Sequence, residues 1–292
     1  MVMGSCLSLQ FGAALASHLF PVAGAWGVTS VRLAAAALIL LLAVRPTVRQ
    51  WSARTWRWVV VFGLALGSMN GFFYAAVERL PLGIAVTIEF LGPLGLSAML
   101  SRRARDLVWV VMAFAGVALL GLDSFRGATE LDPLGVLFAL VAATFGAIYI
   151  LLAARVGTLA PGQGPLAVAM AVGAVAMLPL GVTGAARLFD SGWLVLLAIG
   201  TGLLGSVVPY SLEFAALRRL PQRVFSILLS LEPAFAAIVG ALLLGQWLGP
   251  GSWLAVVLVS AASIGVAAFA DRERRRELPD GPHAAPIGTV AE

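Results

Sequence analysis

Charged side chains are scarce in this chain of 292 residues, of which only 11 % are Asp, Glu, Lys or Arg. A soluble domain carries about 25 % charged residues, so this chain has too few to cover the surface of a folded globule. Hydrophobic residues make up 61 %, and the mean hydropathy is +0.99. The composition excludes a soluble globular domain and predicts an integral membrane protein.

Cysteine and catalytic motifs are also scarce. Cys6 is the only cysteine, which excludes an intramolecular disulfide and a metal site of several cysteines. H-E-x-x-H and G-x-S-x-G motifs are absent from the sequence, and no Asp lies inside an apolar run. Residues 200–205 match G-x-G-x-x-G, but they lie in an apolar run with no strand before them. We therefore predict neither an enzyme nor a bound cofactor or metal.

Long apolar runs separated by clusters of Arg, Pro and Gly fill most of the chain. A helix needs about 20 apolar residues to cross a bilayer. Ten spans are predicted, at residues 2–20, 27–44, 58–77, 83–100, 107–122, 133–154, 165–183, 192–215, 224–245 and 251–270. A signal peptide cleaved near Ala23-Gly24-Ala25 is the alternative for the first span, but no positively charged segment precedes it.

All 19 basic residues are arginines, and they are distributed unevenly between the connections. If ten spans place alternate connections on opposite sides, 15 arginines fall on one side and three on the other, and Arg32 lies inside a span. Because arginine-rich connections stay in the cytoplasm, this predicts a multi-pass protein with both termini cytoplasmic. Nucleic-acid binding by the basic residues 271–277 is the weaker alternative, because acidic residues interrupt this short run.

The chain contains a weak internal repeat. Residues 75–81 (A-A-V-E-R-L-P) recur at residues 215–221 (A-A-L-R-R-L-P), and the same offset of 140 pairs Pro93 with Pro233. Five spans per half is an odd number, so two copies of one fold must have opposite orientations in the membrane, as in many secondary transporters. The predicted divisions are a first repeat at 1–128, a second at 129–271 and a disordered cytoplasmic tail at 272–292.

Five segments carry a family resemblance. They are GVTSVRLAAAALIL at 27–40, PLGIAVTIEFLGPL at 81–94, AIYILLAARVG at 147–157, PYSLEFAALRRLP at 209–221 and SLEPAFAAIVGALLLG at 230–245. The chain resembles the paired EamA repeats of the drug/metabolite transporter superfamily, and in particular its bacterial threonine/homoserine exporters. One departure is Gln246, because the second repeat of this superfamily usually closes with Leu-Gly-Glu. The change removes one candidate carboxylate for proton coupling.

The resemblance implies an all-α protein of ten transmembrane helices, arranged as two inverted five-helix repeats in the inner membrane. It further implies a secondary active transporter that exports small amino acids of the threonine/homoserine class by alternating access and proton antiport. Export of another metabolite or drug, such as a nucleoside, an aromatic amino acid or a toxic compound, is the alternative, because a fold does not decide a substrate. The oligomeric state stays open.

Charged residues inside spans are the first candidates for a transport site, because one at a helix centre costs about 3 kcal/mol. Glu89 and Glu232 each precede an intramembrane proline, which frees a backbone carbonyl, so both are predicted to line a cavity. Glu213 is doubtful, because it lies near the end of its span; the alternative is that it reaches the membrane interface close to Arg218 and Arg219. Arg32 either holds a carboxylate or extends toward the nearer membrane face. A zwitterionic amino acid needs partners of both signs.

Neutral polar residues inside spans complete the candidates: Asn70, Tyr74, Tyr149 and Tyr210. Asn70 lies four residues before Tyr74, so the two share a helix face and are predicted to point into a cavity; an interhelical hydrogen bond is the alternative. Gly63, Gly67 and Gly71 predict a close helix contact, either within the chain or between protomers.

Overall fold

The computed structural model describes residues 1–100, 106–125, 131–160, 162–217 and 228–277, and these ranges contain helices and connections but no strand. The helices are α1 (Val2–Ser17), α2 (Phe20–Val44), α3 (Ala53–Val77), α4 (Leu82–Glu89), α5 (Leu91–Leu100), α6 (Asp106–Phe125), α7 (Pro133–Leu159), α8 (Gly164–Leu188), α9 (Gly192–Gly202), α10 (Val208–Leu217), α11 (Glu232–Leu244) and α12 (Pro250–Glu277). A 3₁₀ turn spans Val48–Gln50, and a π-helical turn at Leu203–Val207 joins α9 to α10.

Ten apolar helical segments lie within the described residues. Five are long and apolar enough to cross a membrane, namely Phe20–Val44, Ala53–Val77, Pro133–Leu159, Gly164–Leu188 and Gly192–Glu213. Five apolar segments are shorter, namely Val2–Ser17, Leu82–Leu96, Val111–Leu120, Glu232–Leu244 and Pro250–Gly265. The helices and the composition establish the predicted class, an all-helical membrane protein. Arg102, Arg103, Arg105, Arg126, Arg218, Arg219 and Arg223, which entered the arginine distribution, lie outside the described residues.

The first connection differs from the prediction. Residues 21–26 were predicted to link two spans, but α2 begins at Phe20 with a proline in its first turn. A kink accommodates the extra length at Gly24, whose φ of 63° and ψ of 167° interrupt the helix, and glycine adopts such angles at little cost. Ala23 and Ala25 are buried in the core, so the segment proposed as a cleavage site is part of the packed helix.

The last helix also differs from the prediction, which placed a disordered tail at residues 272–292. The structure continues α12 to Glu277, so the first six residues of that tail are helical. The remaining part of the predicted tail, residues 278–292, lies outside the described residues.

The predicted glycine contact forms within the chain, between α3 and α8. A Cβ atom added to Gly67 would lie 2.8 Å from the Cα atom of Gly173, and one added to Gly63 would lie 2.6 Å from the carbonyl oxygen of Ala169. Small residues therefore let the two backbones approach closely, which is how packing stabilises helix pairs in a bilayer.

Replacing Gly67 with leucine is expected to lower the thermal stability of the detergent-solubilised protein, because overpacking a close contact costs about 1–3 kcal/mol or more. Gly157→Leu is the matched control, since Gly157 in α7 is exposed and nothing lies within 4 Å of an added Cβ. Thermal unfolding of the two variants checks the prediction. Equal stability of the variants would show that the contact is not close-packed.

Two helix breaks occur beside candidate carboxylates. α4 ends at Glu89 and α5 begins at Leu91, while α11 begins at Glu232 after a turn at residues 230–231. Proline explains the first break, because Pro93 has no N–H for the carbonyl of Glu89, four residues earlier. The carbonyls freed at such breaks are tolerated at membrane depth only where protein or a cavity surrounds them.

An ion pair joins the end of α3 to the start of α7. Arg79 Nη1 donates to Asp132 Oδ2 at 2.8 Å, and Asp132 Oδ1 also accepts from the backbone N–H of Leu134. The guanidinium of Arg79 and this N–H hold the pKa of Asp132 below its usual value. The pair links residues that the sequence assigned to the two predicted repeats.

Candidate transport site

Arg32, in the middle of α2, is the centre of the site. Its side chain is only 2 % exposed, so it does not extend to a membrane face. Nη1 donates to the carbonyl of Gly205 at 3.0 Å and to Ser206 Oγ at 3.1 Å, and Nη2 donates to Asn70 Oδ1. The guanidinium lies 4.6 Å from the ring centroid of Tyr74. These contacts hold a buried positive charge where α2, α3 and the π-helical turn meet.

Backbone irregularity supplies the acceptor at Gly205. Pro209 has no N–H to offer the carbonyl four residues earlier, which is that of Gly205, and a π-helical turn occupies the same segment. A side chain at position 205 would crowd this contact, because an added Cβ would lie 3.1 Å from Arg32 Nη1. The G-x-G-x-x-G match at 200–205 therefore serves helix packing and the Arg32 contact.

Asn70 and Tyr74 lie together on α3, as predicted, and both face Arg32. Asn70 Nδ2 donates to the carbonyl of Leu66 at 2.8 Å, which orients its Oδ1 toward the guanidinium. Tyr74 is 2 % exposed and packs edge-on against Phe20. The interhelical hydrogen bond considered as the alternative for Asn70 is present, and its partner is the central cation.

Glu89 is the candidate carboxyl group that interacts electrostatically with Arg32. It is partly buried at the end of α4, within electrostatic range of the guanidinium. The structure describes both residues and records no ion pair between them. Arg32 also retains an unused donor, because its buried Nε has no hydrogen-bond partner. A guanidinium and a carboxyl group thus lie within electrostatic range of each other, with no ion pair recorded between them.

Glu232 lies at the first position of α11, within electrostatic range of Glu89. Gln10 Nε2 of α1 donates to Glu232 Oε1 at 3.2 Å. Gln10 is 1 % exposed, and its Oε1 has no hydrogen-bond partner. Glu89 and Glu232, which precede the paired prolines Pro93 and Pro233, therefore lie within electrostatic range of each other, each at a helix break.

The remaining tyrosines adjoin the same region from α7 and α10. Tyr149 and Tyr210 interact electrostatically with each other, and Tyr210 is within electrostatic range of Arg32 and Glu232. Tyr149 also stacks on Phe62, with ring centroids 5.2 Å apart. All seven candidate residues thus belong to one connected set.

Sequence reasoning did not single out three polar residues near the site, Ser5, Gln10 and Ser206, and it left Glu213 doubtful. Ser206 follows the carbonyl that Pro209 frees, so that proline was a usable signal. Ser5 and Gln10 lie on α1, whose apolar composition carried no sign of which face meets the site.

Known proteins are similar to this chain in sequence and in fold. Residues 133–268 match the EamA-like transporter family. The threonine/homoserine exporter RhtA of Escherichia coli (strain K12) is 39 % identical over 258 residues, covering 88 % of this chain and 87 % of the relative. The uncharacterized transporter YwfM of Bacillus subtilis (strain 168) is 28 % identical over 254 residues, covering 82 % of each.

A solved crystal structure matches with a TM-score of 0.60 at 19 % identity, covering 94 % of this chain and 96 % of that chain. This match concerns the fold alone. The packed helices form a multi-pass membrane protein, and the similar proteins are named as transporters or exporters. The chain belongs to the EamA-like transporter family.

Gln246, the departure from the family pattern, has a structural role. Its Oε1 accepts the backbone N–H of Leu82 at 2.9 Å, so it satisfies one of the free donors at the start of α4. This contact fixes the helix that ends at Glu89.

Gln246→Leu is expected to lower thermal stability by about 1 kcal/mol and to reduce transport, because the buried N–H loses its acceptor. Gln246→Glu is expected to retain both, since a carboxylate accepts the same hydrogen bond at a helix N-terminus. Unfolding temperatures and transport rates of the two variants check this. Equal behaviour of the leucine and glutamate variants would contradict the capping role.

Proposed function

We propose that the protein is a secondary active exporter of small amino acids of the threonine/homoserine class. The observation that carries the proposal is the arrangement of Arg32 and Glu89, two groups of opposite charge in one region with no direct ion pair. An amino acid carries one carboxylate and one ammonium group. The relative RhtA is named a threonine/homoserine exporter, which supports this cargo.

In the proposed complex, the substrate carboxylate binds Arg32 and the substrate ammonium binds Glu89. Arg32 has an unpartnered Nε and a planar fork that suits a carboxylate. Asn70, Tyr74, Tyr149 and Tyr210 supply polar groups for the rest of the substrate. Glu232, which accepts a hydrogen bond from Gln10, adds a second carboxyl group within electrostatic range of Glu89.

Alternating access and proton antiport complete the proposal. Ten apolar segments, the repeat at offset 140 and the two helix breaks support a pair of inverted repeats, at 1–128 and 129–271, that rock around the site. The arginine distribution supports an inner-membrane protein with both termini in the cytoplasm. In this orientation an inward proton gradient drives export.

Uptake of labelled threonine and homoserine into everted membrane vesicles tests the function. We expect accumulation when the vesicle interior is made acidic, and none after the gradient is dissipated. Vesicles without the protein are the control. If the folded protein accumulates neither amino acid, the cargo assignment is wrong, and nucleosides, aromatic amino acids and toxic compounds become the substrates to test.

A further inference from the structure

Glu213 of α10 makes a contact that the proposed substrate site does not use. Its Oε1 lies 2.6 Å from the hydroxyl oxygen of Ser5 on α1. The same Ser5 hydroxyl lies 3.2 Å from the carbonyl oxygen of Pro209. Ser5 is 0 % exposed, so water does not reach its hydroxyl.

The number of hydrogen atoms decides how these two contacts can both be hydrogen bonds. A serine hydroxyl donates one hydrogen bond and accepts others, whereas a carbonyl oxygen and an ionised carboxylate only accept. If Ser5 donates to Glu213, its contact with the Pro209 carbonyl is not a hydrogen bond. Both contacts are hydrogen bonds when Glu213 is protonated and donates to Ser5, and Ser5 donates to Pro209.

The groups around Glu213 favour the same protonation state. Among the residues that the structure describes, the titratable groups that interact with it are Glu232 of α11, Cys6 of α1, Tyr149 of α7 and Tyr210 of α10. None of these is a cation. None of these described groups would compensate the charge of an ionised Glu213.

We infer that Glu213 is the proton-binding carboxylate of the exporter. Ser5 of α1 is the hydrogen-bond relay between this carboxylate and the Pro209 carbonyl of the same helix. The inference rests on the proposed function and assigns its coupling step to a residue outside the Arg32–Glu89 pair. A proton binds one Oε atom of Glu213 in one orientation of the transporter and leaves the same atom in the other. The O–H bond of Glu213 is the only covalent bond that forms or breaks.

Pro209 connects this site to the substrate site. Its carbonyl contacts Ser5, and its missing N–H leaves the Gly205 carbonyl to Arg32. The two carbonyls are four residues apart, which is about one helical turn. When Glu213 loses its proton, Ser5 turns its single hydrogen from Pro209 to the carboxylate. The hydrogen bonding of the segment that anchors Arg32 changes with it.

Glu213→Gln tests the inference in everted vesicles that contain the full chain. We expect exchange of labelled for unlabelled threonine, which needs no net proton movement, within about twofold of wild type, and gradient-driven accumulation reduced by at least about tenfold. Glu78→Gln, at an exposed glutamate after α3, is the control and is expected to retain both activities.

The outcomes separate the two proposals. Gradient-driven accumulation by Glu213→Gln at the wild-type level overturns the inference and leaves the proposed function intact. Exchange without any gradient response in wild type overturns proton antiport and the inference together. Loss of exchange in Glu213→Gln, with correct folding, places Glu213 in substrate binding and also overturns the inference.

A second variant and a chemical probe guard against misfolding of Glu213→Gln. Ser5→Ala keeps the carboxylate and removes the relay, so it is expected to retain exchange and to accumulate less threonine. A lipid-soluble carbodiimide, which reacts with protonated carboxyl groups, is expected to label Glu213 in the purified wild-type protein but not the exposed Glu78. Absence of labelling at Glu213 alongside labelling at Glu232 would assign the proton to Glu232 instead.

Discussion

Replacing Arg32 with lysine is expected to reduce threonine exchange by at least about tenfold, which corresponds to about 1.4 kcal/mol. The positive charge is retained, but a lysine ammonium is a compact group without a planar fork. It cannot reach Gly205, Ser206 and Asn70 together and still present a donor to a substrate carboxylate. Exchange rates measured at equal amounts of folded protein check the prediction.

Arg79→Lys is the matched control for this change. Arg79 is exposed, and it forms an ion pair with Asp132. Because lysine can replace arginine in an exposed pair at small cost, we expect exchange near the wild-type rate. If Arg32→Lys exchanged threonine as fast as Arg79→Lys, the guanidinium geometry would be irrelevant to transport.

Glu89→Gln is expected to abolish both threonine exchange and gradient-driven accumulation while leaving expression unchanged. Glutamine has nearly the same shape as glutamate, so the break between α4 and α5 is preserved. The substitution removes the carboxyl group that interacts with Arg32, and with it the proposed partner for a substrate ammonium.

Glu89→Gln and Glu213→Gln therefore have different expected results. The first loses exchange, and the second retains exchange but loses the response to the proton gradient. Parallel transport assays of both variants, with Glu78→Gln as the control, make the comparison. Normal exchange by Glu89→Gln would remove Glu89 from the substrate site.

Local signals in the sequence accounted for the main features of the fold. Apolar runs identified the helical segments, and Pro93 and Pro233 indicated helix breaks beside Glu89 and Glu232. The boundaries near Gly24 and residue 271 were wrong. A glycine kink lets α2 continue where a connection was expected, and α12 extends through charged residues that lie beyond the apolar run. Hydropathy marks where a helix is apolar and does not mark where it ends.

Partners within the site could be predicted only in part. The spacing of Asn70 and Tyr74 placed them on one face, but no local pattern links Arg32 to Gly205, which is 173 residues away. The missing N–H of Pro209 identified a free carbonyl without identifying its donor. Ser5 and Gln10 were missed because α1 is apolar around most of its circumference, and only packing decides which face meets α10 and α11.

Competition for threonine exchange most directly tests the central claim, that Arg32 and Glu89 bind the two charged ends of one amino acid. The competitors are unlabelled threonine, threoninol, which lacks the carboxylate, and 3-hydroxybutyrate, which lacks the ammonium group. The account predicts that each analogue competes at least about tenfold more weakly than threonine, since each leaves one buried charge unpaired. Competition by either analogue at the concentration effective for threonine would contradict it.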